Sequence, residues 1–209
     1  MKALAMAMVL GAGGALAAGQ APNGGVHSSD IGLSYTAPAG WETLDAQKTT
    51  SAARQQTTQT ASEEQRKGVA CVEVPLTARH GDPASVIVIV ALPFDCFGQT
   101  ITANDLPGFA SGAEQGIKQH FEIVDPIDAN YTVAGHAFWI ERARATPKGF
   151  TAPVYTIEIT CSVLKKAAVC WMAQASDAAD LGAFEQSAIK IDGEDAPRLV
   201  PTDVFLKKP

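Results

Sequence analysis

Runs of apolar residues divide the middle of the chain into short strands and a few helices. Residues 31–35 and 155–163 alternate apolar with polar side chains, which is the pattern of a strand with one buried face. Residues 86–92, Val-Ile-Val-Ile-Val-Ala-Leu, form a continuous apolar run. Such a run predicts a strand buried on both faces, and therefore a sheet that is covered on both sides.

Helical signals occur at two places in the second half of the chain. Thr102, with Asp105 three residues later, is typical of a helix start, and apolar residues then recur at helical spacing as far as Phe121. Ser176 predicts the cap of a second helix. A short strand over 189–191 follows that helix.

Two further segments have weaker patterns. The polar segment 45–67 contains no proline or glycine and predicts a long surface helix. Disorder is the alternative for this segment, because its threonines have a low helix propensity. Residues 123–133 predict a short strand and a turn, which lead through Gly135 into another strand.

The first 17 residues have the features of a secretory signal peptide. Lys2 gives a basic start, residues 4–10 are apolar, and Ala15-Leu16-Ala17 matches the small-residue pattern that precedes cleavage. The apolar run is too short for a membrane anchor, which needs about 20 apolar residues. We therefore expect export to the periplasm or the extracellular space, and no transmembrane segment in the mature chain.

The chain after the signal peptide predicts one domain with a loose segment at each end. Residues 18–29 are rich in Gly, Ala, Asn and Ser and predict a flexible leader. The strands and helices lie within 30–192, a length that suits a single domain. From Gly193 the sequence is polar and punctuated by prolines, which predicts a loose C-terminal tail over 193–209.

The charge of the chain argues against polyanionic partners. The formal net charge is −6, and it becomes −7 when Lys2 is removed with the signal peptide. No run of basic residues is longer than two. Nucleic acids and anionic membranes require a positive face, so we expect neither as a partner.

The four cysteines predict disulfides, as expected of an even number in an exported chain. A turn centred on Lys165-Lys166 places Cys161 and Cys170 opposite each other on one face of a hairpin, at a non-hydrogen-bonded pair. Lys-Lys is a poor sequence for a two-residue turn, and a four-residue loop would keep the same register. Cys71 and Cys96 then pair by elimination, while four buried free thiols are the alternative.

The opening of the domain carries a family resemblance. Residues 31–41, Ile-Gly-Leu-Ser-Tyr-Thr-Ala-Pro-Ala-Gly-Trp, resemble the F-x-Y-x-x-P-x-G-W strand and turn of the PsbP/Mog1-like families, which include many exported bacterial proteins. The order of the later elements, from the helix ending at Phe121 to the strand at 189–191, is similar too. The resemblance implies an α+β fold in which an antiparallel β-sheet is flanked by helices, an α/β/α sandwich.

The same resemblance implies no chemistry, because these families include assembly factors and partner-binding modules. The chain also departs from the family pattern in the polar segment 45–67 and in its four cysteines. We therefore carry no functional residue over from the family.

Histidines and carboxylates supply the candidate chemistry. His120, Glu122 and His136 would provide three metal ligands if a helix end and a strand start adjoin, and a site needs three or four converging ligands. The alternative is that His120 caps a helix end and His136 is exposed at a strand start. The chain lacks the nucleophile elbow and the glycine-rich nucleotide loops. No catalytic residue and no cofactor is predicted.

Two hypotheses for the function follow from the sequence. The first is a non-enzymatic protein-binding or assembly-accessory module of the cell envelope, whose partner is another envelope or secreted protein. The alternative is a metal-dependent or small-ligand-binding protein, or an enzyme, that uses histidines and carboxylates at one end of the sheet.

Overall fold

A computed structural model describes most of the domain. The described residues are 24–45, 48–51, 71–96 and 101–206. The predicted signal peptide, 1–17, lies outside them, as does most of the segment 45–67 for which a surface helix is predicted. Residues 48–51 of that segment are helical.

Seven antiparallel strands form the main sheet. They are β3 (Glu42–Leu44), β4 (Glu73–His80), β5 (Ser85–Pro93), β6 (Phe121–Val133), β7 (His136–Pro147), β8 (Tyr155–Val163) and β9 (Ala167–Ala175). Their order across the sheet is β3-β4-β5-β9-β8-β7-β6. The apolar run over 86–92 lies in β5, where Ile87 and Ile89 face one core and Val90 and Leu92 face the other. The prediction of a strand buried on both faces is confirmed.

One face of the main sheet is covered by helix α1 (Leu106–Ile117), which contacts β7, β8 and β9. Thr102 and Asp105 form the predicted cap, but they cap a 3-10 turn over Ala103–Asp105 that leads into α1, and the Thr102 backbone N–H donates to Asp105 Oδ2 at 2.9 Å. The helix ends before Phe121, which is instead the first residue of β6. Apolar side chains of α1 and of the central strands form a core between them.

The other face is covered by a second sheet and a second helix. This four-stranded antiparallel sheet contains β1 (Gly25–Ser28), β2 (Leu33–Thr36), β10 (Ile189–Ile191) and β11 (Glu194–Ala196). Helix α2 (Ala178–Glu185) packs on β9 beside it. The predicted fold class, an α+β fold with an antiparallel sheet flanked by helices, is confirmed, and the small sheet adds to the second layer.

Both ends of the folded part extend beyond the predicted boundaries of 30 and 192. The predicted flexible leader, 18–29, includes β1, which pairs with β2. The predicted loose tail, 193–209, includes β11 and the buried side chains of Leu199, Val200 and Val204. The described parts of these segments, 24–29 and 193–206, add apolar side chains to the core on the second face of the main sheet, which contains Trp171.

Strand β6 is longer than predicted. Residues 123–133, for which a short strand and a turn are predicted, belong to one strand of 13 residues. A bulge between Val124 and Ile127 accommodates the residue pair that resembles a turn, with Asp125 at φ 53°. The strand continues through Pro126 because β6 lies at the edge of the sheet, where a missing N–H costs no ladder hydrogen bond.

The start of α2 also differs from the prediction. Asp177, not Ser176, is the N-cap, and its Oδ1 accepts a hydrogen bond from the Asp180 N–H at 2.8 Å. Ser176 instead donates its backbone N–H to Ser85 Oγ at 2.8 Å. This bond ties the end of β9 to the start of β5.

The β8–β9 hairpin has the predicted register. Cys161 and Cys170 face each other with their Cα atoms 4.1 Å apart and are joined by a disulfide. The turn is the two-residue Lys165-Lys166, since the Leu164 N–H donates to the Ala167 carbonyl at 2.9 Å. Cys71 and Cys96 also form a disulfide, with their Cα atoms 5.8 Å apart. In the part of the chain that the structure describes, no helix is both long and apolar enough to cross a membrane.

Candidate functional site

The three candidate metal ligands do not converge. His120 and Glu122 lie where β6 begins, whereas His136 begins β7 beyond the hairpin turn. Glu122 and His136 are thus separated by the length of β6, on the order of 35 Å at 3.3 Å per residue. His136 Nε2 instead lies 3.4 Å from Asp192 Oδ2. Among the described residues, no group of three or more His, Cys, Asp or Glu side chains is arranged to hold a metal ion.

A different histidine is paired with a carboxylate. His80 Nδ1 lies 2.8 Å from Oδ1 of Asp180, near the start of α2. The Asp180 side chain is 9% exposed and that of His80 is 46% exposed. The Trp41 ring stacks on the imidazole with a centroid distance of 5.6 Å. A buried carboxylate therefore orients a half-exposed imidazole.

The polar residues of β8 are buried, although the alternating pattern predicts a half-buried strand. Glu158, Thr160 and Ser162 have no solvent exposure. They lie on the face that α2, the small sheet and the C-terminal segment cover. The Ser162 hydroxyl donates to the Ala137 carbonyl at 2.8 Å, and Thr160 Oγ1 lies 2.6 Å from the Tyr131 hydroxyl. Burial raises the pKa of that hydroxyl above its usual value.

Glu158 forms the centre of a buried ionic network. Its Oε2 accepts from Arg142 Nε at 2.8 Å and lies 2.6 Å from Arg142 Nη2. Arg142 also pairs with Glu185, at the end of α2, and its guanidinium lies 4.4 Å from the centre of the Phe205 ring. Glu158 Oε1 is buried without a hydrogen-bond partner. Burial raises the pKa of Glu158 to about 7, against the opposing effect of Arg142.

A second pair of carboxylates lies on the opposite face of the sheet. Burial and the neighbouring Glu114 carboxyl raise the pKa of Glu141 to about 7. Glu114, on α1, is paired with Lys118 at 2.7 Å. Because Glu141 is only half-buried, this pair is more accessible than Glu158.

The outer side of β6 is a row of backbone groups without a strand partner. β6 ends the order of the main sheet, and among the described residues no strand pairs with its outer side. The turn residues Ala134 and Gly135 have φ of 47° and 73°, as in a two-residue hairpin turn, so Val133 and His136 form a hydrogen-bonded pair. Alternate residues then point their N–H and C=O groups away from β7. These are Asp128, Asn130 and Thr132.

The side chains of β6 are apolar and acidic. Val124 and Ile127 are each 48% exposed and flank the bulge. Glu122, Asp125 and Asp128 are exposed, and the strand contains no lysine or arginine. We call Val124, Ile127 and the outward-pointing Asp128, Asn130 and Thr132 the edge surface.

The buried network depends on residues that are distant in the sequence. Glu158 lies in a strand whose alternating pattern predicts polar side chains on an exposed face. Its pairing with Arg142 depends on β7 and β8 being neighbours, which places Arg142 opposite Glu158. The partner Glu185 comes from a helix 27 residues beyond Glu158. His80 is not among the candidates that the sequence indicates, because its partner Asp180 is 100 residues away.

Comparison with known proteins finds matches among solved structures only. No family model matches the chain, and no curated protein matches it. The chain is similar to the solution structure of cyanobacterial PsbP (CyanoP) from Synechocystis sp. PCC 6803, with 15% identity and a TM-score of 0.40, over 79% of this chain and 86% of that chain. The resemblance of residues 31–41 to the PsbP/Mog1-like families stays a prediction.

Proposed function

We propose that the protein is an exported, non-enzymatic binding module that holds an extended segment of another envelope or secreted protein along β6. The observation that carries the proposal is the row of outward backbone groups at Asp128, Asn130 and Thr132. An extended peptide that pairs with such an edge gains main-chain hydrogen bonds, and its side chains give specificity. The exposed Val124 and Ile127 offer apolar contacts beside these bonds.

The bulge limits where pairing takes place. Asp125 has a positive φ and Pro126 has no N–H, so the regular ladder is interrupted before Ile127. Such features protect edge strands from unselective pairing. The partner segment is therefore expected to pair with the five residues from Asp128 to Thr132.

The negative charge of β6 indicates which charge the partner segment carries. β6 exposes three carboxylates, Glu122, Asp125 and Asp128, and no basic side chain. The whole chain has a net charge of −6, so two copies repel each other. We infer that the occupant is a segment with lysine or arginine, and not a second copy of this chain.

Export is part of the proposal. The signal-peptide pattern of residues 1–17 and the two disulfides support an oxidising compartment outside the cytoplasm. The partner would then be an envelope or secreted protein that presents a basic extended segment.

Site-specific cross-linking in the native host tests this function. A photo-activated amino acid at Thr132, on the edge surface, is expected to give one defined adduct. Asn130→Pro is expected to abolish that adduct, because it removes an outward N–H without breaking a bond to β7. The matched control, Asn130→Ala, changes the same side chain and keeps the N–H, so the adduct should persist. A second control is the same photo-activated group at exposed Ala179 on α2.

The outcomes separate the hypotheses. Loss of the adduct in Asn130→Pro alone, with unchanged thermal unfolding, supports pairing at the edge. An adduct that survives Asn130→Pro, or one that forms equally from position 179, would contradict it. The absence of any adduct from Thr132 would also count against a protein partner.

A second candidate function is binding of a small ligand at the His80–Asp180 pair. It is favoured by the orientation of a half-exposed imidazole by a buried carboxylate beside Trp41. Thermal-shift screening of metabolites and ions would show a stabilising compound whose effect is lost in His80→Gln. No compound with that dependence would remove this candidate.

A further inference from the structure

The buried ionic network joins four parts of the molecule at one point. Glu158 comes from β8, Arg142 from β7 and Glu185 from the last residue of α2. Phe205, from the C-terminal segment 198–206, lies on the Arg142 guanidinium. A change in the charge of this network therefore acts on α2 and on the C-terminal segment together.

The network contains one more acidic group than basic groups. Two carboxylates share one guanidinium, and Glu158 Oε1 has no donor although it is buried. The carboxyl groups of Glu158 and Glu185 contact the same nitrogen, Arg142 Nη2, which brings them close together. One proton between them supplies the missing donor and balances the charge.

We propose that Glu158, Arg142 and Glu185 form a proton-operated latch that holds the end of α2 and residues 198–206 on the main sheet. With the proton bound, the network is neutral and closed. Without it, a net negative charge is buried, and such a charge is costly in a protein interior. The latch operates whether or not the edge surface binds a partner.

Glu185 is the carboxylate whose side chain moves out of the network when the proton is lost. Its side chain is 19% exposed, whereas that of Glu158 is fully buried. It also occupies the last residue of α2, where the helix dipole disfavours a carboxylate. Rotation of Glu185 into solvent leaves Arg142 paired with Glu158 alone.

Two contacts join the network to the C-terminal segment. The Val200 N–H donates to the Glu185 carbonyl at 3.1 Å, and the Phe205 ring lies on the Arg142 guanidinium. Next to Phe205, the Val204 N–H donates to the Pro201 carbonyl at 3.3 Å. We therefore expect the amides of Val200 and Val204 to become less protected together.

The neighbouring residues Tyr131 and Ala173 do not supply this proton to Glu158. Tyr131, from β6, lies close enough for both carboxylates to act on its hydroxyl, and that hydroxyl is bonded to Thr160. Ala173, opposite Glu158 on β9, carries no titratable group. The titration of the network accordingly depends on Glu158, Glu185 and Arg142.

Amide hydrogen exchange of the full chain between pH 5.5 and 8.5 tests the latch. Protection factors at Val200 and Val204, corrected for the intrinsic effect of pH, are expected to fall about tenfold across this range, which corresponds to one pKa unit of linkage. Glu158→Gln is expected to keep protection constant. The matched control is Glu141→Gln, which removes the raised carboxyl on the opposite face of the sheet and should retain the wild-type dependence.

Three results would overturn the latch. They are constant protection in the wild type, a retained pH dependence in Glu158→Gln, and loss of the dependence in Glu141→Gln. If Glu158→Gln does not fold, Glu185→Gln alters the same network from its partly exposed side and is expected to give the same constant protection. The ¹³C resonances of the Glu158 and Glu185 carboxyls give a direct reading, and ionisation of both carboxyls at pH 5.5 would exclude the proposal.

Discussion

Arg142 and Glu158 face each other across β7 and β8, and the guanidinium forms two short contacts with one oxygen of the carboxylate. Glu158 has no solvent exposure, so the pair is an ionic contact inside the core. Buried ion pairs seldom stabilise a fold more than apolar residues of the same size do, but removing one partner is costly. We therefore expect the loss of stability on mutating Arg142 or Glu158 to depend on pH.

Arg142→Met is expected to destabilise the protein by about 3 kcal/mol at pH 8, because it leaves a buried carboxylate unpaired. At pH 5 the loss should be smaller, since Glu158 then binds a proton and becomes neutral. Urea unfolding at the two pH values measures both effects. The double variant Arg142→Met with Glu158→Gln should recover part of the loss at pH 8. Equal losses at pH 5 and pH 8 in the single variant would contradict an ionised Glu158 at the higher pH.

The stability of the wild type is expected to fall as pH rises from about 4.5 to about 7. The pKa of Glu158 is raised to about 7 by burial, so the folded state binds the proton more tightly than the unfolded state does. The stability that this proton contributes is complete below the unfolded pKa and is lost as pH rises through the folded value, with a total of about 3 kcal/mol. Glu141, whose pKa is raised in the same direction, adds a smaller effect because solvent screens it.

The contribution of Glu158 is isolated by difference. The free energy of unfolding of the wild type minus that of Glu158→Gln, plotted against pH, should decrease over this window. A flat difference would show that Glu158 titrates alike in the folded and unfolded states.

The two disulfides are expected to differ in accessibility. Cys161 and Cys170 are buried between the central strands, whereas Cys96 is exposed. Mild reductant acting on the folded protein should therefore open Cys71–Cys96 first, and alkylation followed by peptide mass spectrometry would identify the sites. Replacing both Cys71 and Cys96 by alanine should cost roughly 3 kcal/mol, as expected for a closed loop of this length. Simultaneous labelling of all four cysteines would contradict the ordering.

Features that depend on residues close together in the chain could be predicted from the sequence. The register of Cys161 with Cys170 follows from the symmetry of one hairpin, and the cap at Thr102 follows from its spacing of three residues from Asp105. The double-sided burial of 86–92 follows from composition alone. Each of these depends on local geometry, and the structure confirms each of them.

Features that depend on packing between distant parts of the chain could not be predicted from the sequence. The alternation in β8 could not reveal that Glu158 and Thr160 are buried, because their cover comes from α2 and from residues beyond 193. That tail is polar on average, and its few apolar residues give no periodic signal. The unpaired outer side of β6 could not be predicted either, because Asp125-Pro126 has the composition of a turn. Only the strand order shows that β6 is an edge strand.

The C-terminal segment offers the last test, because it contrasts two apolar side chains two residues apart. Val204 is 6% exposed and packs in the core on the second face of the main sheet, whereas Leu206 is 81% exposed. Val204→Ala is expected to lower the free energy of unfolding by about 1–2 kcal/mol, since it removes buried methyl groups. Leu206→Ala should change it by less than about 0.5 kcal/mol. Urea unfolding of both variants measures the difference, and equal values would mean that the segment does not pack on the sheet. A loss in Val204→Ala alone would make residues 198–206 part of the folded domain, which is the condition under which their release by a proton has any structural effect.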